Sequence, residues 1–156
     1  MKIKYNQTEA YGCGLYSVAN IFDDFRVTEC RIEESKKGNN LSQLNRWIRE
    51  DGHAFSIEPF YYDNERGPLP APFFEYHPVE SDLHLPVLFD VQISEHSKLI
   101  HFISGLIDSD KWLYIFDSYK KEVVKTEMRY LTDMYHNVFG FYHFIGDNGD
   151  YIFLNK

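Results

Sequence analysis

The stretch from Gln7 to Phe25, QTEAYGCGLYSVANIFDDF, decides how the chain begins to fold. After Gly12, apolar side chains recur at intervals that put most of them on one face of a helix, which predicts an amphipathic helix over residues 13–25. These side chains are Leu15, Val18, Ala19, Ile21, Phe22 and Phe25. Glycine on both sides of Cys13 indicates a turn from which the helix starts. Cys13 is therefore expected at the N-terminus of the first helix.

Cys13 is a candidate nucleophile. The N-terminus of a helix carries partial positive charge, which stabilises a thiolate. The flanking glycines let a substrate carbonyl approach the backbone, so the N–H of Cys13 can donate a hydrogen bond to a developing oxyanion. A lone cysteine is more often a buried structural residue. Cys30 fits that structural description, because it lies in the middle of a predicted helix with no activating neighbour.

Three other residues complete a predicted catalytic set. Gln7, six residues before Cys13, carries a carboxamide that can supply a second oxyanion donor. His101 opens an apolar strand and is the predicted base, because a thiol nucleophile needs an imidazole within hydrogen-bond reach. Asp117 ends the next strand, and antiparallel pairing through the turn at 108–111 places its carboxylate where it can orient the histidine. Each residue also has an ordinary explanation, as a surface Gln, a strand-end His and a turn-starting Asp.

The remaining pattern predicts helices first and antiparallel strands afterwards, which is the order of an α+β domain. Asn40, with Gln43 three residues later, predicts a capping box for a helix from Leu41 to Asp51, and Gly52 predicts its end. Two further helices are expected, at residues 28–35 and, capped by Thr126, at residues 126–135. Strands are expected at residues 55–62, 85–93, 101–107, 112–117, 123–124, 138–145 and 151–154. The proline-rich residues 63–84 predict a long irregular loop.

Bulk properties limit the class of function. A chain of 156 residues fits one domain, and its net charge of −8 argues against nucleic acid, which needs a basic face. The first residues lack the apolar region of a signal peptide, and no apolar run approaches the ~20 residues of a membrane span. A cytoplasmic protein without membrane insertion is therefore expected.

No cofactor is expected either, since two cysteines form no zinc motif and His96 and His101 lie at a spacing that suits no metal site.

The segment from Gln7 to Gly14 resembles the Gln…Cys-Gly motif of the C39 peptidases, the papain-like domains at the N-termini of bacteriocin-exporting ABC transporters. The interval between Gln and Cys is similar, as is its closeness to the N-terminus. The resemblance extends over most of the chain. The matching segments are residues 38–44 with Gly52, the Pro-led strand from Pro86, the His-Phe strand 101–105, the Asp strand 112–117 and the short helix 126–135.

The resemblance implies a papain-like fold over residues 1–156 as a single domain, and the activity of a cysteine peptidase. It implies that Cys13 is the nucleophile and His101 the general base and acid. It also implies that Asp117 is the orienting carboxylate and Gln7 the oxyanion-hole residue. The family cleaves leader peptides after a double glycine, so a peptide or protein substrate is expected.

Three departures from the family's usual pattern indicate a substrate of the chain's own. They are Gly12 in place of Asp, Leu15-Tyr16 in place of small residues, and Ser118 in place of Pro. Two other functions stay open at this point. One is a silent domain of the same fold that holds a peptide or protein. The other is a deamidase or acyl transferase, which forms the same thioester with a different acceptor. Docking on a larger assembly is compatible with all three.

Overall fold

The computed structural model describes residues 1–62, 79–97 and 100–156, except for the side chains of Tyr61 and Tyr62. The described helices are α1 (Cys13–Ile21), α2 (Glu29–Glu34), α3 (Leu41–Glu50) and α4 (Leu131–Met134), with 3-10 turns at Ser35–Lys37 and Met128–Tyr130. The strands are β1 (Phe55–Tyr62), β2 (Leu85–Gln92), β3 (His101–Ile107), β4 (Trp112–Phe116), β5 (Val124–Glu127) and β6 (Asn137–Gly146). These elements confirm the predicted α+β class.

The six strands form one sheet in the order β1-β6-β2-β3-β4-β5, and every neighbouring pair is antiparallel. Side chains of β2 and β3 are buried at every position, because both faces of the sheet are covered. Leu88, Phe102 and Phe144 pack in the same cluster as α1 and α3. Phe89 and Ile103 belong to the opposite cluster, which Leu131 and its neighbours complete. The central strands are therefore the rigid part of the fold.

Helix α1 is held against β3 by two reciprocal hydrogen bonds. Ser17 Oγ donates to the carbonyl of Phe102 at 2.9 Å, and Ser104 Oγ donates to the carbonyl of Ser17 at 2.7 Å. All three residues are buried, so these hydrogen bonds are protected from competition with water. They fix the position of α1 along the strand that begins with His101.

The first helix is shorter than predicted. It ends at Ile21, because Phe22 is extended (φ −112°, ψ 110°) and the consecutive acids Asp23 and Asp24 follow. Acidic side chains at a helix C-terminus oppose the helix dipole, and Asp favours turns. Phe25 is still buried, in the same cluster as α1, although it lies outside the helix. The apolar spacing of the sequence continued past the point where the helix stops.

The predicted helix α3 is confirmed, but only one of the two hydrogen bonds of its predicted capping box forms. Asn40 Oδ1 accepts a hydrogen bond from the N–H of Gln43 at 2.8 Å, as a helix cap does. The Gln43 side chain accepts from Asn39 Nδ2 instead of returning to the backbone of Asn40. Gly52 ends the helix with a φ of 86°.

Two predicted elements near the end of the chain were wrong. Thr126 does not cap a helix: it lies in β5 opposite Leu113, because the β-branched residues at 123, 124 and 126 favour a strand. The helical turns start only at Met128, although Met128, Leu131 and Tyr135 are buried as expected. Residues 151–154 make two isolated bridges, Tyr151 to Ile145 and Leu154 to His84, in place of a strand. The greater part of the predicted loop at 63–84 lies outside the described residues.

Gly14 lies where α1 meets the segment that leads into α3. The N–H of Leu15 donates to Asn39 Oδ1 at 3.0 Å, which joins the two segments. A Cβ atom on Gly14 would lie 2.7 Å from Asn39 Cβ and 3.1 Å from Leu44 Cδ1. The missing side chain therefore allows the start of the helix to contact Asn39 closely.

We expect Gly14→Ala to destabilise the protein by about 1–3 kcal/mol, because the added methyl group overlaps Asn39. Helix propensity alone predicts the opposite sign, a gain of about 1 kcal/mol. Urea denaturation measures the change in the free energy of unfolding. Ser42→Ala, at an exposed position of α3, is the control and should change it by less than about 0.5 kcal/mol. A stabilised Gly14→Ala protein would contradict the close contact.

Candidate active site

The start of α1 brings Cys13 to the start of β3. The N–H of Phe102 donates to Cys13 Sγ at 3.4 Å, and the adjacent His101 ring lies close enough to Cys13 for that side chain to favour the protonated ring. Gly12, with a φ of 90°, is the N-cap of α1, so the chain turns sharply just before the thiol. In a helix that begins at Cys13, the N–H of this residue has no acceptor inside the helix. Thiol, imidazole and a backbone donor therefore lie together.

His101 is joined to Asp117 by a buried hydrogen bond. His101 Nε2 lies 2.8 Å from Asp117 Oδ1, and the two residues are 3% and 2% exposed. Because Nε2 is hydrogen-bonded to the carboxylate, Nδ1 is the ring nitrogen that remains for an interaction with Cys13. The structure thus brings together three of the predicted residues in the order thiol, imidazole, carboxylate.

Asp117 accepts two hydrogen bonds besides the one from His101. Tyr135 donates its hydroxyl to Oδ2 at 2.7 Å, and the N–H of Tyr119 donates to Oδ1 at 3.0 Å. Burial by itself raises the pKa of Asp117, but the hydrogen bonds from His101, Tyr135 and Tyr119 outweigh it and hold that pKa below its ordinary value. The carboxylate is therefore ionised at neutral pH.

The same hydrogen bonds determine the charge of His101. Burial by itself lowers the pKa of the imidazole, but the hydrogen bonds to Asp117 and Cys13 outweigh burial and raise the pKa to about 9. The ring therefore carries a proton at neutral pH and loses it as the pH rises through about 9. A protonated imidazole is the state that pairs with a thiolate and can later give its proton to a leaving group.

The ring of Tyr119 covers His101. The two ring centroids lie 4.5 Å apart with an interplanar angle of 21°, and Tyr119 is 43% exposed. The phenol ring therefore lies against the imidazole that bonds Asp117. Sequence reasoning missed both Tyr119 and the hydroxyl of Tyr135. The available signal for Tyr119 was an aromatic residue two positions after the candidate carboxylate.

Gln7 is buried beside this set rather than open to a substrate. Its Nε2 donates to the carbonyls of Glu9 at 2.8 Å and Tyr11 at 2.9 Å, so both N–H groups of the carboxamide have acceptors. The hydroxyl of Tyr119 lies 3.1 Å from the same nitrogen. Ser118 Oγ donates to Gln7 Oε1 at 2.7 Å, and the backbone N–H of Gln7 donates to the carbonyl of Ser118 at 2.8 Å. In this arrangement Gln7 organises the loop that leads into Cys13.

A groove of about 840 Å³ opens beside the thiol. The α1 end and the sheet contribute Cys13, Phe102, Pro59, Asp90 and Tyr142 to its lining, and residues 36–41 contribute the rest of one wall. Its volume lies within the usual range for ligand sites, about 300–1,000 Å³. A chain segment lying in the groove would therefore contact the thiol.

Asp90 is a carboxyl group in this groove that the sequence analysis did not single out. It is 6% exposed, and Tyr142 donates its hydroxyl to Oδ2. Burial raises the pKa of Asp90 to about 6, against the opposing effect of the Tyr142 hydrogen bond. Among the described residues no group donates to its other oxygen, Oδ1. An Asp inside an apolar strand was the only signal in the sequence.

The second cysteine was assigned incorrectly. Cys30 is exposed on α2, where its thiol lies 3.9 Å from a carboxylate oxygen of Glu34, and it is not the buried core residue that was expected. The six-residue helix α2 buries Arg31 instead, which pairs with Asp51 at 2.7 Å. Cys30 is therefore an ordinary surface thiol for comparison with Cys13.

No group of three or more His, Cys, Asp or Glu side chains in residues 1–62, 79–97 and 100–156 could hold a metal ion. No helix in these ranges has the length and apolar character needed to cross a membrane.

The comparisons with known proteins add no relative. No family model matches the chain, and a search of the curated proteins finds no significant match.

We expect Cys13→Ala to lower the pKa of His101 from about 9, because the substitution removes a hydrogen bond and a charge that favour the protonated ring. Titration of the imidazole by NMR, with the signal assigned through His101→Ala, measures the change. Cys30→Ala is the matched control and should leave the titration where it is, since Cys30 is exposed on α2. Identical titrations of the Cys13→Ala and unaltered proteins would contradict contact between thiol and ring.

Proposed function

We propose that this protein is a cysteine peptidase that hydrolyses a peptide bond through Cys13, His101 and Asp117. The observation that carries the proposal is the position of Cys13 at the start of β3, where Phe102 donates to its Sγ, next to the His101 ring that bonds the buried Asp117 carboxylate at the edge of a groove. A nucleophile, a base that bonds it and a third group that orients the base are the parts that covalent catalysis requires.

In the proposed reaction, the Cys13 thiolate attacks the carbonyl carbon of the substrate, and a C–S bond forms as the carbonyl electrons move to oxygen. The C–N bond then breaks, and His101 Nδ1 gives its proton to the departing amine. Water next attacks the thioester while the same nitrogen accepts a proton from it. The C–S bond breaks, the acid product leaves, and the thiolate–imidazolium pair is restored. Asp117 remains ionised throughout and holds the ring in orientation.

We propose further that the fold is papain-like and that the chain is a distant relative of the C39 peptidases. In support, α1 begins at the cysteine and packs on the antiparallel sheet whose strand β3 begins at His101. The resemblance of Gln7 to Gly14 to the C39 motif points the same way. Peptides with a double glycine before the scissile bond are the first substrates to test. A cytoplasmic location belongs to the same proposal.

The proposed oxyanion hole has two donors, of which one must first leave other acceptors. The N–H of Cys13, at the first position of α1, supplies one donor. Gln7 can supply the second only if one of its N–H groups leaves the carbonyl of Glu9 or Tyr11. Ser118, at a position where the C39 peptidases usually have Pro, holds the other end of the carboxamide. Gln7 therefore has an organising role in addition to the proposed catalytic one.

The decisive test is the pH dependence of Cys13 alkylation by iodoacetamide, read by mass spectrometry of the labelled peptides. We expect labelling of Cys13 to be fast well below pH 8 and slower in His101→Ala, because the imidazolium stabilises the thiolate. Exposed Cys30 is the internal control in the same sample. Labelling of both cysteines at the same rate, unaffected by His101→Ala, would leave a peptide-binding domain without catalysis.

Once an activated thiol is established, product analysis with double-glycine and glutamine-containing peptides separates hydrolysis of the backbone from deamidation.

We expect Gln7→Ala to slow turnover by about 10²–10³-fold if its carboxamide stabilises the oxyanion. Ser118→Ala is the matched control, because it removes the hydroxyl that holds Gln7 Oε1 and leaves the carboxamide in place. Turnover is measured on the best peptide from the preceding experiment, and thermal unfolding is measured for both variants. Equal rates for the two variants would show that Gln7 acts only by organising the loop.

A further inference from the structure

We propose that Asp90 forms a subsite for a basic side chain, Lys or Arg, on the acyl side of the peptide substrate, within about two residues of the scissile bond. The inference rests on the proposed peptidase function for its reaction, but not for the binding that it predicts. A subsite of this kind is an alternative to the double-glycine specificity proposed above, since glycine places no side chain in the groove.

The register of the sheet places Asp90 close to the nucleophile. In the β2–β3 pair Asp90 is opposite Phe102, and the N–H of Phe102 contacts Cys13 Sγ. Opposite residues of an antiparallel pair have Cα atoms about 4.5–5.5 Å apart. A bound extended peptide advances about 3.3 Å per residue, so a side chain one or two positions from the reacting carbonyl is at the level of Asp90. Cys13 and Asp90 line the same groove.

The burial of Asp90 and its unpaired oxygen favour a cationic ligand. Its side chain is almost wholly buried, and within the described part of the chain no donor reaches Oδ1 and no cation pairs with the carboxylate. A buried acceptor without a partner is costly, more so when it is charged, and it usually indicates a role that offsets the cost. Lys36 and Lys37 also line the groove, but Lys36 pairs with Glu33 and neither lysine forms an ion pair with Asp90. An ammonium or guanidinium group of a bound peptide supplies both a charge and a donor.

One oxygen of the Asp90 carboxylate, Oδ1, has no donor among the described residues and is shielded from solvent. Tyr142 occupies Oδ2 through its hydroxyl. Gly140 lies opposite Asp90 in β6, and a Cβ atom there would be 2.7 Å from the Tyr142 hydroxyl oxygen. The glycine therefore makes room for the hydroxyl beside Asp90. Because the χ2 torsion of Asp is broad, the carboxylate can turn its remaining oxygen towards a donor in the groove.

The test uses acetylated dipeptidyl chloromethyl ketones. They differ only in one side chain, either that of the residue that bears the ketone or that of the residue before it. The pairs are Lys against norleucine and Arg against citrulline, so that the charge is removed while the side-chain length stays nearly the same. The rate of Cys13 labelling is read by mass spectrometry. We expect the basic member of each pair to label Cys13 about 10- to 100-fold faster, the gain typical of a hydrogen bond to a charged group. Cys30 in the same sample measures any general attraction of cations to this acidic protein.

Two variants assign the preference to a residue. Asp90→Asn should bring the basic-to-neutral ratio at Cys13 close to one. Asp133→Asn, which removes the same charge from an exposed position of α4, should keep the ratio of the unaltered protein. A ratio near one in the unaltered protein, or a ratio that Asp90→Asn does not change, would overturn the subsite. The ratio in the unaltered protein needs no variant, so misfolding of Asp90→Asn does not remove the test.

Failure of the subsite is distinguishable from failure of the peptidase function. Iodoacetamide carries no side chain and reports only on the activation of Cys13. Chloromethyl ketones also alkylate an ordinary thiol, so the ratio stays readable at alkaline pH even if Cys13 is not activated. An activated thiol with a ratio near one rejects the subsite alone. An ordinary thiol with a high ratio rejects the peptidase and supports a groove that binds basic peptides.

Discussion

The hydrogen bond between His101 Nε2 and Asp117 Oδ1 is the interaction on which the rest of the site depends. Both groups are buried, and taking a charge out of water is costly unless polar partners replace the solvent. The hydroxyl of Tyr135 and the N–H of Tyr119 supply those partners for the carboxylate. The charge on the carboxylate in turn favours the protonated imidazole, so the state of the ring beside Cys13 depends in part on groups at its far side. Removal of the Tyr135 hydroxyl would therefore change the chemistry at the distant thiol.

These groups come from separate parts of the chain, so only the tertiary structure can align them. Ser17 and Ser104 fix α1 along β3, which determines where the thiol lies relative to the ring. Asn39 fixes the start of the helix from the other side through the N–H of Leu15. Because both restraints act within the first turns of α1, the helix has little freedom to slide. Cys13 and Asn39 both line the groove, so the contacts that position the nucleophile lie in its wall.

Local signals in the sequence predicted those features that local physics determines. Asn40 and Gly52 mark the ends of α3 because capping needs residues only three or four positions apart. The end of α1 was predicted too late, since Phe22 and Phe25 pack in the core without being helical. The pairing of His101 with Asp117 could be predicted, because one hairpin joins their strands. The hydroxyls of Tyr135 and Tyr142 could not, since their acceptors are placed by the register of the whole sheet.

The two buried carboxyl groups near the thiol show how the same residue type is given different states. Asp117 has three donors and its pKa lies below its ordinary value, whereas Asp90 has the single donor Tyr142 and burial raises its pKa to about 6. Environments that push the pKa values of neighbouring groups apart are typical of sites in which the groups have different tasks. The protein itself supplies three hydrogen bonds to the Asp117 carboxylate, so the charge of Asp117 does not depend on what is bound. Asp90 has an oxygen that no described residue satisfies, so a donor from outside the chain in the groove would stabilise its charge beyond what Tyr142 provides.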